Sequence, residues 1–138
     1  MMRIEASGFV FDARATGPES GELVLLLHGF PQSSLEWEAQ LEALGRAGYR
    51  AVAPDQRGYS RDARPVEVEA YWQDLLAADA IAIADALGAR RFHVVGHDWG
   101  AAIAWQVAML VPERIVSLTA VSVPHPNAFA NALAGDEI

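Results

Sequence analysis

The sequence predicts an α/β fold, with six strands in a mostly parallel sheet flanked by helices on both faces. Three observations carry this. Short apolar runs of strand character alternate with helical segments along all 138 residues. One run, ELVLLLH at residues 22–28, is apolar without alternation, as a strand covered on both faces requires. Glycines and prolines punctuate the joins, at Gly48, Pro54, Gly88 and Pro112.

The elements follow in order. Residues 3–6 and 9–15 are expected as strands joined by a hairpin turn at Ser7-Gly8, and residues 22–28 as the third strand. Ser33 opens a helix, and Glu36 three residues on has the spacing of a capping box. Trp37, Leu41 and Leu44 make that helix's buried stripe, and Gly48 ends it. Residues 50–53 form a strand stopped by Pro54, and residues 55–65 are polar and turn-rich. A second helix sets Tyr71, Leu75, Ala78 and Ala82 on one face. Its acidic residues Glu67, Glu69, Asp74, Asp79 and Asp85 read as a solvated face. Residues 92–95 are a strand, and residues 101–110 form a helix apolar nearly all round, hence buried. Residues 115–123 are the last strand, and residues 127–133 begin a helix.

Composition bounds the function. The chain is 52% hydrophobic and 20% charged, enough for one packed domain. A net charge of −8 argues against nucleic-acid partners, since phosphate backbones attract basic patches and only Arg90-Arg91 forms a basic pair. With no cysteine, a disulfide framework and thiolate metal sites are excluded. No His/Asp/Glu spacing places metal ligands on one helical face. The N-terminal residues lack a signal-peptide apolar core, and no stretch approaches a membrane span. The expectation is a cytoplasmic protein without membrane contact, metal or cofactor.

Gly96-His97-Asp98-Trp99-Gly100 lies between a strand and a helix, with glycines two before and two after an acid. This is the arrangement of a nucleophile elbow, in which small flanking residues let strand and helix close around a tight turn. The Trp99 N–H then lies at the helix N-terminus, where negative charge is favoured. The plain alternative makes Asp98 a helix N-cap. His28-Gly29-Phe30-Pro31 follows the third strand, where Gly29 permits close backbone approach and Pro31 suits a cis bond that turns the Phe30 N–H inward.

Together HGFPQSSLEW, PDQRGYS, GHDWGAAIAW and SVPHP resemble the epoxide-hydrolase and haloalkane-dehalogenase branch of the α/β-hydrolase superfamily, from about residue 9 to 126. The resemblance implies a three-layer hydrolase fold with Asp98 as nucleophile and the Phe30 and Trp99 N–H groups as oxyanion hole. Phe30 and Trp99 are expected to touch substrate too. His28, Gly29, Pro31, Gly96, His97 and Gly100 are implied as motif residues that shape the backbone. A carboxylate, already ionised near neutral pH, suits attack on a saturated carbon and gives an alkyl ester that water must then cleave.

Two departures guide the substrate. Haloalkane dehalogenases commonly carry Asn after the HG pair, where this chain has Phe30, and fluoroacetate dehalogenases carry Arg where it has Trp99. A small apolar epoxide is therefore favoured over a halide, with a haloalkane dehalogenase or another hydrolase as alternatives. The resemblance also implies further strands, a helical cap with tyrosines, an acid and a late histidine. None of His28, His93, His97 or His125 matches that histidine. His125, at a strand's carboxyl end, is a candidate substrate contact, and His93 reads as a packed or solvated strand residue. Asp55 and Arg57 read as a loop ion pair, and Trp37, Trp72 and Trp105 as packing residues. The expectation is that residues 1–138 are the N-terminal part of the hydrolase domain, with an apolar sheet edge open to self-association or a companion C-terminal chain. A truncated, non-catalytic fragment is the remaining reading.

Overall fold

In the computed structural model, which describes residues 1–135, strands β1 (Met2–Ala6) and β2 (Phe9–Thr16) form the expected hairpin. Ser7 and Gly8 both have positive φ, 52° and 77°, matching the twist of a two-residue hairpin turn. Strands β3 (Leu23–Leu27), β4 (Arg50–Pro54), β5 (Phe92–His97) and β6 (Ile115–Val121) complete a six-stranded sheet of order β1-β2-β4-β3-β5-β6. β4, β3, β5 and β6 run parallel to one another, whereas β2 pairs antiparallel with both β1 and β4.

The unalternating strand β3 lies near the middle of the sheet, and all five of its residues are buried. Leu23, Leu25 and Leu27 join one core with Phe11, Val52, Phe92, Ile103 and Val107, under helices α2 (Gln73–Ala86) and α3 (Trp99–Leu110). Val24 and Leu26 point the other way, into a smaller core with Trp37, Leu41 and Ala53 under helix α1 (Glu38–Arg46). Side chains alternate faces along a strand, so two cores on one strand require an apolar residue at every position.

Several expectations change. The helix foreseen from Ser33 is two pieces, a 3-10 turn at Ser34–Trp37 followed by α1. Ser33 does cap the turn, accepting from the Leu35 N–H at 3.3 Å, but Glu36 does not complete a capping box. Its carboxylate instead accepts from the Gly29 N–H. α2 buries Ala77, Asp79, Ala80, Ile83 and Ala84, while Leu75 and Ala78 of the expected face are exposed. Alanine on every side leaves little hydrophobic contrast, and contact with the sheet picks the face.

Asp79 is therefore no solvated residue. Arg57 grips it with Nε and Nη2 at 2.8 and 2.6 Å, both side chains buried, so Asp79 and not Asp55 is the partner of Arg57. Asp55 accepts from the Ser34 N–H at 2.8 Å. In α3, Met109 and Leu110 are half exposed, so the last turn is not buried as expected. β6 ends at Val121, where Ser122 turns the chain with φ of 70°, two residues before the expected end. Trp37 is buried, Trp105 donates its ring N–H to the Val123 carbonyl at 3.0 Å, and Trp72 is exposed between two helical segments. Helix α4 (Pro126–Ala134) follows β6, which is the edge strand and exposes Val116 and Val121. Among the described residues no helix is long and apolar enough to cross a membrane.

Candidate active site

β3 and β5 are parallel neighbours in which Leu27 faces Gly96, so the loops at their carboxyl ends emerge side by side. Ligands of open α/β sheets bind at such ends. Asp98 follows β5 directly with φ of 56° and ψ of −124°, a conformation that a non-glycine residue holds at a cost of about 1–3 kcal/mol. The flanking glycines are a steric necessity. A Cβ on Gly96 would lie 2.2 Å from the Gly100 carbonyl oxygen, and one on Gly100 only 2.0 Å from that of Leu27. Strand and helix could not approach with any larger residue, and the bend that carries Asp98 would open.

Across the gap, the Phe30 N–H donates to Asp98 Oδ2 at 3.1 Å, a bond spanning 68 residues of sequence. That donor and, second in effect, the Trp99 N–H hold the Asp98 carboxyl below its ordinary value, and they outweigh the opposing effect of desolvation. No arginine pairs with Asp98 among the described residues. The carboxylate is thus ionised and held by neutral main-chain donors. Asp98 does occupy the N-cap position of α3, its carbonyl accepting from the Ala101 N–H at 2.9 Å, but its side chain makes no capping bond and turns to Phe30 instead.

The first loop is fixed from below. His28 is buried, its Nδ1 lies 2.9 Å from the Gly29 carbonyl oxygen, and its Nε2 accepts from the Gln56 N–H at 3.1 Å. These partners define the tautomer with the proton on Nδ1. Burial, the largest effect, lowers its pKa and favours this neutral form. The Gln56 side chain returns a bond to the His28 carbonyl at 2.6 Å. The Phe30–Pro31 peptide is cis.

A cavity of about 230 Å³ opens beside these loops, lined by His28, Gly29, Phe30, Gln56, Tyr59, Tyr71, Leu76, Trp99 and Ile103. Its walls are mostly apolar, and Phe30 and Trp99 stand at 65% and 59% exposure. Tyr59 packs edge-on against His28 at 4.5 Å between ring centroids, and burial, helped by the Asp98 charge, raises its phenol pKa. Tyr71 donates to the Pro65 carbonyl at 2.8 Å.

The expected site residues divide into two sets. His28, Gly29, Phe30, Pro31, Gly96, His97, Asp98, Trp99 and Gly100 come together at the ends of β3 and β5. His125 lies apart from the cavity: its Nδ1 accepts from the Asn127 N–H at 3.1 Å and its ring packs on Trp105 at 5.1 Å. His93 serves the opposite end of β5, between Ser117 Oγ at 2.6 Å and Glu22 Oε2 at 2.9 Å. Sequence reasoning missed Glu36, Gln56, Tyr59 and Tyr71. The PDQRGYS string contained two of them, but only the folded loop shows that Gln56 and Tyr59 reach the cavity. Among the described residues no group of three or more His, Asp or Glu side chains is placed to hold a metal.

A family model described as alpha/beta hydrolase fold matches residues 22–137. The chain belongs to the alpha/beta hydrolase family. Similar relatives include the AB hydrolase superfamily protein YfhM of Bacillus subtilis, 40% identical over 90% of this chain and 43% of that protein. Epoxide hydrolase B of Mycobacterium tuberculosis is 47% identical over 77% of this chain and 30% of its own length. Among solved structures, epoxide hydrolase A from Mycobacterium thermoresistibile superimposes with a TM-score of 0.86 at 37% identity, covering 98% of this chain and 44% of that one. This alpha/beta hydrolase chain thus spans less than half the length of the relatives it matches.

Proposed function

We propose that this chain is the nucleophile-bearing, N-terminal part of an epoxide hydrolase in which Asp98 forms an alkyl-ester intermediate. The observation that carries the reading is the bond from the Phe30 N–H to Asp98 Oδ2 at 3.1 Å, made across the ends of two adjacent parallel strands. The epoxide-hydrolase names among relatives and structural neighbours support the choice of substrate class.

The geometry supports a two-step chemistry. Oδ2, held by the main-chain donors, becomes the ester carbonyl oxygen, and the other carboxylate oxygen attacks an epoxide carbon. The C–O bond breaks, its electron pair stays on the ring oxygen, and that oxygen takes up a proton from water. Water then adds to the ester carbon, and the Phe30 and Trp99 N–H groups receive the charge that develops on Oδ2. Collapse releases a diol and restores the carboxylate. The apolar cavity suits a small apolar epoxide.

The second step needs a base to activate water. The four histidines of the chain are engaged elsewhere: His28 with Gly29 and Gln56, His93 with Ser117 and Glu22, His97 with Glu36, and His125 with Asn127. Attack by Asp98 needs no base, so these 138 residues by themselves are expected to alkylate and then stall.

Intact-mass spectrometry after exposure to styrene oxide tests this. The expected result is a gain of one epoxide mass in the native chain and none in Asp98→Asn. Halide release from a 1-chloroalkane, without an epoxide adduct, would redirect the reading to dehalogenation. Unchanged mass in a folded sample with both reagents would overturn it.

A further inference from the structure

The two loops that meet at Asp98 share one further residue. Glu36 sits in the 3-10 turn Ser34–Trp37 with its side chain 17% exposed. Its Oε2 accepts from the Gly29 N–H at 3.1 Å, and its Oε1 lies against His97 Nδ1. Gly29 directly precedes Phe30, and His97 directly precedes Asp98, so one carboxylate reaches the residue before each partner of the site's central hydrogen bond.

We propose that Glu36 is a positioning residue that ties the two loops together and sets the distance between the Phe30 N–H and the Asp98 carboxylate. This rests on the reading of Asp98 as the ester-forming group.

The need for such a tie follows from Gly29. A Cβ there would come 2.6 Å from the Asp98 Cβ, so glycine is required where the loops approach. Glycine leaves the backbone soft, and its direction has to be fixed by outside partners. The Gly29 carbonyl is gripped by His28 Nδ1 at 2.9 Å and by the Gln32 N–H at 3.1 Å, both from its own loop. Those bonds orient the Gly29–Phe30 peptide but cannot fix how far that loop stands from the β5 elbow. Glu36 alone among these partners contacts both sides. Its turn is itself anchored, by buried Ser34 and Trp37 and by the Ser34 N–H to Asp55 Oδ1 at 2.8 Å. The Gly29 hydrogen bond to the carboxylate is directional, and with the His97 ring against the other oxygen it suits a spacer. Small errors at such a site are costly: a displacement of about 1 Å can slow a reaction about a hundredfold.

The test uses the full chain with Glu36→Leu, which keeps the volume and removes both acceptors, and Glu36→Gln, which keeps one. Backbone amide spectra at pH 7 report the Phe30 and Trp99 N–H groups separately. The expected result for Glu36→Leu is an upfield move of the Phe30 amide proton with the Trp99 amide little changed, and alkylation of Asp98 by styrene oxide slowed about tenfold to a hundredfold. Glu36→Gln should fall between. A general loosening of the fold would move both amides alike and overturn the positioning role. A Phe30 amide at its native position in whichever variants fold would overturn it too. If the native chain is not alkylated but the Phe30 amide still moves in Glu36→Leu, the tie stands and the reading of Asp98 falls.

Discussion

Asp79 and Asp98 are two carboxylates in one small domain, and their surroundings are opposite. Asp79 is buried on α2 and gripped by both ends of the Arg57 guanidinium, which also donates to the Ala70 carbonyl at 2.6 Å and lies over the Phe9 ring. Asp98 stands at a strained bend, held by the Phe30 main-chain N–H with no arginine paired to it among the described residues. A carboxylate saturated by a guanidinium has its charge neutralised and its lone pairs occupied, so it is a fastener. One held by neutral donors keeps its charge and remains free to react. The fastener serves the site indirectly: Arg57 pins the segment that carries Gln56 and Tyr59 to the cavity wall.

The sharpest way to break this contrast is at the fastener. Asp79→Ala leaves Arg57 charged and buried without its partner, and the expected loss is about 3–5 kcal/mol in a denaturant titration. Replacing both, as Arg57→Met with Asp79→Leu, should recover much of that loss, because the desolvation cost of the pair disappears with the pair. Asp98→Asn should change stability by no more than about 1 kcal/mol, since Asn still accepts from the Phe30 N–H and tolerates positive φ well. A large destabilisation there would make Asp98 structural after all.

The smallest effect concerns pH. The folded state holds the Asp98 carboxyl below its unfolded value, so the group contributes stability above the unfolded carboxylate range and loses it as pH falls through the folded value. Alkylation should therefore stay near its neutral rate down to the ordinary carboxylate range and fall only below it, as a pH series of adduct formation would show. A decline already between pH 5 and 6 would contradict the main-chain hold.

Much of the frame was legible in the sequence because single residues there have few physical alternatives. The unbroken run in β3 required burial on both faces, and Gly96 and Gly100 around an acid required a bend too tight for a Cβ. What stayed hidden depended on partners distant in sequence. Ser33 and Glu36 have a spacing that satisfies a helix cap, and only the folded loops give Glu36 other partners, the Gly29 N–H and the His97 ring. Asp79 looked solvated because an alanine-rich helix barely marks its buried side, and Arg57 approaches it from 22 residues away. His125 lay at a strand's carboxyl end as foreseen, but that end belongs to β6, where Trp105 and the start of α4 occupy it.

The most direct measurement is the site of modification, found by fragmenting the styrene-oxide-treated chain in a tandem mass spectrometer. A single adduct on Asp98, absent from Asp98→Asn, is the expected result. An adduct confined to His28 or His97, or one that persists when Asp98 is replaced, would contradict it.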